Sequence, residues 1–138
     1  MKRTMAIDIG EKRIGVALSD PLGITAQPHS VLENNDPEKL FAGLREIIEE
    51  YGVTKLVAGV PYGLNGEKGA SAKKIMEFVG RLRENVDVEI DTVDERFSTA
   101  LSMRAMLEAD VSRKKRRHNI DKVAAAVILQ GYLDRAED

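Results

Sequence analysis

Two short apolar runs rich in β-branched residues, Met5–Ile9 and Arg13–Leu18, stand on either side of Gly10-Glu11-Lys12. Strands joined by so short a turn pair antiparallel, so the chain opens as a hairpin. Asp20-Pro21-Leu22-Gly23 supplies the next turn and Thr25–Leu32 a third strand. Pro28 lacks an N–H for the ladder, which demands an edge or a bulge for that strand. The pattern then changes period. Asp36 before Pro37 reads as an N-cap with proline at the first helical position, and Leu40, Leu44, Ile47, Ile48 and Tyr51 recur at helical spacing until Gly52. Lys55–Val60 is a strand ended by Pro61, and Tyr62–Gly69 is a polar, glycine-rich loop. Ser71 caps a second helix with Ile75, Val79 and Leu82 on one face, and Val86–Val93 is the last strand. Strands reached through helices pair in parallel, so the sequence specifies an α/β fold with a hairpin-led sheet. Ser98–Ala109 predicts a third helix and Asp121–Arg135 a fourth, with a basic linker between them.

The chain has 138 residues, 43% of them hydrophobic, which fits one domain over residues 1–138. Its formal charge is −2, yet Arg113-Lys114-Lys115-Arg116-Arg117 carries five cations in a row. Without them, 16 of the 21 cationic residues face 23 acidic ones, a balance of −7. Concentrated charge of this kind can hold a polyanion on an acidic protein, because local potential and counterion release decide such binding. The absence of cysteine excludes disulfide scaffolds, thiolate metal sites and thiol nucleophiles. The first apolar run is broken by Asp8 and is far too short for a signal-peptide core or a membrane span, so a cytoplasmic protein without membrane contact is expected. Aromatic residues make up 4% of the chain and tryptophan is absent. That argues against base recognition on broad stacking platforms and for recognition of backbone or shape.

Asp8 interrupts an apolar strand whose alternation puts Ala6, Asp8 and Gly10 on one face and Met5, Ile7 and Ile9 on the other. A buried carboxylate there needs a partner: an ion pair with Lys12 or Arg13, or a bound cation. Asp94-Glu95-Arg96 ends the last strand, where neighbouring side chains point to opposite faces; Glu95 is the acid assigned to the site. A solvated charge cluster ahead of Ser98 is the plainer alternative. Asp121 stands at the start of the predicted fourth helix, where capping alone would also explain it. Three acids converging on one sheet edge imply a divalent-metal site. Lys12, Arg13, Arg96 and the run Arg113, Lys114, Lys115, Arg116 and Arg117 are the candidate phosphate contacts, although a solvated charge run is possible for the last five. His29 and His118 lack the context of a ligand or base.

The segments AIDIGEKRIGVALSD (6–20), GVPYGLNGEKG (59–69), DERFST (94–99) and ADVSRKKRRHNIDKVAAAVILQGYL (109–133) resemble the YqgF/RuvX family of ribonuclease H-like proteins. That family is described as Holliday junction resolvases and as nucleases that mature the 5′ end of pre-16S ribosomal RNA. The resemblance implies a mixed five-stranded sheet, three antiparallel strands first and two parallel strands through helical crossovers, flanked by helices. It carries catalytic and metal-binding roles onto Asp8, Glu95 and Asp121, with Mg²⁺ or Mn²⁺ as cofactor and structured RNA or branched DNA as substrate. The related RuvC resolvases look like four-carboxylate enzymes, and Asp94 and Asp20 are the candidates here for a fourth. Cutting a symmetric junction twice calls for a homodimer, whereas RNA trimming is compatible with a monomer. A non-catalytic nucleic-acid-binding module is a third reading. Asp8-Ile9-Gly10 also resembles the opening of actin-like ATPases, but those close two such domains on a nucleotide and this chain has length for one.

Overall fold

The computed structural model describes residues 3–60, 70–94 and 114–136. Five strands form one mixed sheet: β1 (Arg3–Ile9), β2 (Arg13–Ser19), β3 (Ala26–Glu33), β4 (Val53–Val60) and β5 (Glu89–Asp94), in the spatial order β3-β2-β1-β4-β5. β1, β2 and β3 run antiparallel, and β4 and β5 join in parallel through α1 (Pro37–Tyr51) and α2 (Ala70–Asn85). β3 is an edge strand, and its ladder with β2 shifts register between Val16 and Ala17, whose partners are Ser30 and Pro28. The missing N–H of Pro28 is thus accommodated by both devices the sequence allows, edge position and bulge.

α1 has the ends its sequence specifies. The Asp36 carboxylate accepts hydrogen bonds from the backbone N–H of Glu38 (3.1 Å) and Lys39 (3.5 Å). At the other end Gly52 adopts φ 65° and donates to the Ile48 carbonyl, a left-handed cap that glycine takes without a Cβ clash. The apolar faces of α1 and α2 cover one side of the sheet, where Leu40, Leu44, Val79 and Leu82 pack with Met5, Ile7 and Leu56. The other side is covered by a third described helix, α3 (Lys114–Ala136). Ala125, Ile128, Leu129 and Leu133 of α3 meet Ala6, Ala17, Val57 and Val93. The small residues on both surfaces bring the helix close to the sheet.

Several boundaries differ from the sequence reading: β1 and β4 each begin two residues earlier, at Arg3 and Val53, and α2 begins at Ala70, so Ser71 lies within it and does not cap it. β5 begins at Glu89, not Val86; Val86 donates its N–H to the Leu82 carbonyl (3.0 Å) and buries its side chain beside α2. The apolar pattern is the same for a helix end and a strand start, and packing decides between them. α3 begins earlier than Asp121, so Lys114–Arg117 are helical and not a linker. Lysine and arginine are good helix formers, and a charge run does not break a helix as Gly or Pro would. The predicted helix 98–109 and loop 62–69 lie outside the described residues. No helix among the described residues is long and apolar enough to cross a membrane.

Candidate functional site

Asp8 is the penultimate residue of β1, near that strand's C-terminal end, and is 6% exposed. Strand alternation sends it to the α3 side with Ala6, while Met5 and Ile7 pack on the α1–α2 side. Among the described residues the only other buried polar group is Ser19, whose hydroxyl accepts the Thr4 N–H (2.9 Å) and is thereby accounted for as structure. Burying a carboxylate is costly unless it is paired, so Asp8 marks a polar spot on the α3 side of an otherwise apolar strand.

The residue across from Asp8 on β2 is Gly15. A Cβ built on Gly15 would overlap the backbone carbonyl of Asp121 and stand 2.9 Å from the Lys122 nitrogen. α3 therefore seats its backbone directly on the gap left by a missing side chain, and that seat lies in cross-strand register with Asp8. Asp121 is brought to the place where Asp8 emerges. It lies about two turns inside α3, so the helix-capping explanation of this aspartate does not hold. Its carboxylate instead accepts from Arg13 Nε at 3.0 Å, the two side chains being 26% (Arg13) and 22% (Asp121) exposed. Arg13, a potential partner of Asp8 in the sequence, thus goes to Asp121. Gly15 and Arg13 are two apart on β2 and face the same side.

The hairpin tip beside these groups is fixed by residues that carry no such signal in the sequence. Gly10 N–H donates to the Arg13 carbonyl (2.9 Å), and a Cβ on Gly10 would lie 2.7 Å from that oxygen. Asn34, after β3, donates its side-chain N–H to the Gly10 carbonyl and its backbone N–H to the Lys12 carbonyl, each at 2.8 Å. An asparagine in a polar stretch between two elements gives no hint of so long-range a role. Lys12 is exposed at the same tip.

The two candidates for a fourth carboxylate are placed elsewhere. Asp94 pairs with Val60, a residue of the α1–α2 side, and alternation separates it from Val93 on the α3 side. Asp20 follows β2 at the opposite end of the sheet, where its carboxylate accepts from the N–H of Ile24 (2.7 Å) and Thr25 (2.9 Å). The Thr25 N–H, with those of nearby turn residues, holds its pKa below the usual carboxylate value. Asp20 closes a turn. His29 also lies away from Asp8, hydrogen-bonded to Ser30 (2.8 Å) and edge-on to Tyr51. Glu95, Arg96 and Arg113 lie outside the described residues, and Lys114–Arg117 occupy the first turn of α3.

Among the described residues no three His, Asp or Glu side chains form a metal cluster. Asp8, near the C-terminal end of the central strand β1, and Asp121 on α3 are nevertheless the donor type that Mg²⁺ and Mn²⁺ prefer, hard carboxylate oxygens, one of them buried. The chemistry of this pair fits a divalent cation.

The RuvX family, described as Holliday junction resolvase, matches residues 2–135. A relative from Desulforamulus reducens is 48% identical over 132 residues, 96% of each chain, and is named "Putative pre-16S rRNA nuclease". A Clostridium acetobutylicum protein of the same name is 47% identical over 96% of this chain and 98% of its own. Among solved structures, RuvC of T. thermophilus in complex with a Holliday junction substrate superposes with a TM-score of 0.61 at 13% identity, covering 99% of this chain and 96% of that one. The fowlpox virus Holliday junction resolvase gives 0.55 at 14% identity, covering 96% and 99%. These two likenesses establish the fold. With a hairpin-led mixed sheet, an α3 seated beside Asp8 and a family match over nearly all its length, the chain belongs to the RuvX family of nucleases and has a ribonuclease H-like fold.

Proposed function

We propose that this chain is a metal-dependent endonuclease that acts, as one domain, at the 5′ end of pre-16S ribosomal RNA in the cytoplasm. The observation that carries the reading is the buried Asp8 in cross-strand register with Gly15, on which α3 delivers Asp121. The RNA assignment follows the names of relatives near 48% identity, whereas the likeness to junction resolvases is one of fold.

Asp8, Glu95 and Asp121 would hold two Mg²⁺ or Mn²⁺ ions, which when bound supply Lewis-acid activation of the attacking water and stabilisation of the leaving 3′ oxygen. The chain's own residues do the rest. Asp8 and Asp121 concentrate negative charge where burial weakens the competition from water. The five consecutive cations of residues 113–117, four of them on α3, are the candidate contacts for flanking phosphates. Lys12 at the hairpin tip is a further candidate contact, and Arg96 is another by its place in the sequence.

The test is native protein beside Asp8→Asn, each incubated with Mg²⁺ or Mn²⁺ and end-labelled precursor 16S RNA or a synthetic four-way junction. Cutting of the RNA by native protein alone is the expected result, with Asp8→Asn still binding. Normal cleavage by Asp8→Asn would sink the metal assignment. Cutting of the junction alone, together with a stable symmetric dimer, would shift the substrate to branched DNA. Binding of either nucleic acid without cleavage would leave a non-catalytic module.

A further inference from the structure

We infer that Arg13, ion-paired with Asp121, competes with a divalent cation for that carboxylate and thereby makes the binding of phosphate and of divalent cation cooperative. This rests on the metal-site reading above and adds a role for a residue that the reading treats only as a phosphate contact.

Arg13 makes one side-chain hydrogen bond among the described residues, Nε to Asp121 Oδ2 at 3.0 Å. The terminal N–H groups of its guanidinium have no partner among the described residues, and about a quarter of the side chain is open to solvent. A guanidinium presents its fork to one planar anion at a time with best geometry, so a phosphate arriving at the open terminal N–H groups competes with the carboxylate for the same charge. Its position is fixed from the backbone. Arg13 opens β2, its carbonyl accepts from Gly10, and the flanking Lys12 carbonyl is tied to Asn34. Asp121 is fixed from the other side by the seat of α3 on Gly15. Both ends of the pair are rigidly mounted, so the side chains, and not the elements, do the exchanging.

With no phosphate present, the guanidinium satisfies Asp121 and its charge opposes a dication at the same carboxylate. A phosphate of the bound nucleic acid neutralises the guanidinium and draws it off, leaving the Asp121 oxygens to the cation. Each ligand thereby strengthens the other, and by linkage the factor is the same in both directions.

The measurement is Mn²⁺ binding by calorimetry to the full chain, alone and saturated with a phosphorothioate-substituted precursor 16S RNA oligonucleotide that slows cleavage. RNA binding by fluorescence anisotropy, with and without Mn²⁺, supplies the reciprocal leg. In native protein RNA should tighten Mn²⁺ binding about tenfold, and Mn²⁺ should tighten RNA binding equally. In Arg13→Gln, Mn²⁺ alone should bind about threefold or more tighter, and the coupling should fall below about threefold. Arg13→Lys, which keeps the charge, should retain most of the coupling. Arg13→Met keeps the aliphatic stem and takes the place of Arg13→Gln if circular dichroism shows the latter unfolded. Coupling unchanged in the neutral variant, or Mn²⁺ bound more weakly by it, would overturn the inference while leaving the metal site standing. Asp8→Asn separates the two claims: if it still binds Mn²⁺ like the native chain, the site reading fails and this inference falls with it.

Discussion

Gly15→Ala is the most economical perturbation of this molecule, because one methyl group addresses both its stability and its site. The added Cβ would stand 2.9 Å from the Lys122 nitrogen, against 3.4 Å for ordinary contact, and would overlap the Asp121 carbonyl outright. Both neighbours are backbone, so no side chain can swing aside. α3 has to lift by at least the 0.5 Å difference at Lys122, and by more at Asp121. Lifting it opens the packing of Ala125, Ile128 and Leu129 on Ala6, Ala17 and Val57, all of them fully buried. Overpacking of this kind costs about 1–3 kcal/mol, which for a chain of this size lowers Tm by roughly 3–12 °C. The effect on cleavage should exceed the effect on stability, since a shift of about 1 Å in a catalytic group can cost about 10²-fold in rate. The assay is thermal melting by circular dichroism together with single-turnover cleavage at a temperature well below the variant's Tm. Gly80→Ala is the control: it lies inside α2 with nothing within 4 Å of its added Cβ, and should stabilise by about 0.5–1 kcal/mol. A Gly15→Ala protein with native Tm and native cleavage would refute the seating of α3 on Gly15, and with it the convergence of Asp121 on Asp8.

Neutralising residues 113–117 should weaken RNA binding and reduce the slope of log K against log salt by about 0.7–0.9 for each phosphate no longer neutralised, read from filter binding across a salt series; an unchanged slope would return those cations to the solvent. Tyr132→Phe should destabilise the chain by about 1 kcal/mol, because the Tyr132 hydroxyl accepts from Lys55 Nζ (2.6 Å) and donates to Asp91 (3.3 Å), tying α3 to β4 and β5. That hydrogen bond first, and the charges of Glu89 and Asp91 after it, raise the Lys55 pKa. A raised lysine pKa contributes stability that is complete below the unfolded value near 10.4 and is lost as pH climbs through the higher folded value. The native and Tyr132→Phe denaturation curves should therefore converge only in strongly alkaline solution, and a difference that vanishes by neutral pH would contradict the link.

Asp36, Pro37 and Gly52 wrote the limits of α1 into the sequence, because capping is a local transaction between a side chain or a left-handed glycine and the nearest free backbone groups. Pro28 likewise marked β3 as an edge or bulged strand, and period-two alternation placed Asp8 on the face opposite Met5 and Ile7. These readings needed no more than a few residues on either side. Asp121 needed more. From its neighbours alone it was indistinguishable from an N-cap, and the basic run before it looked like a break although Lys114–Arg117 form the first turn of α3. Nothing local to Gly15 shows that the backbone packed on it is α3 at Asp121, 106 positions later; that is a fact of packing. Arg13 had acids near it in sequence, and the one it holds is 108 positions away. Asp94 and Asp20 were equal candidates as letters, and register and topology put one on the far face and the other at the far end of the sheet. Local backbone energetics is written in neighbouring residues, so the elements and the face of Asp8 were determined by the sequence. Which charges meet depends on how whole elements bury their apolar faces, and only the tertiary structure decided that Arg13, Gly15 and Asp121 share one place.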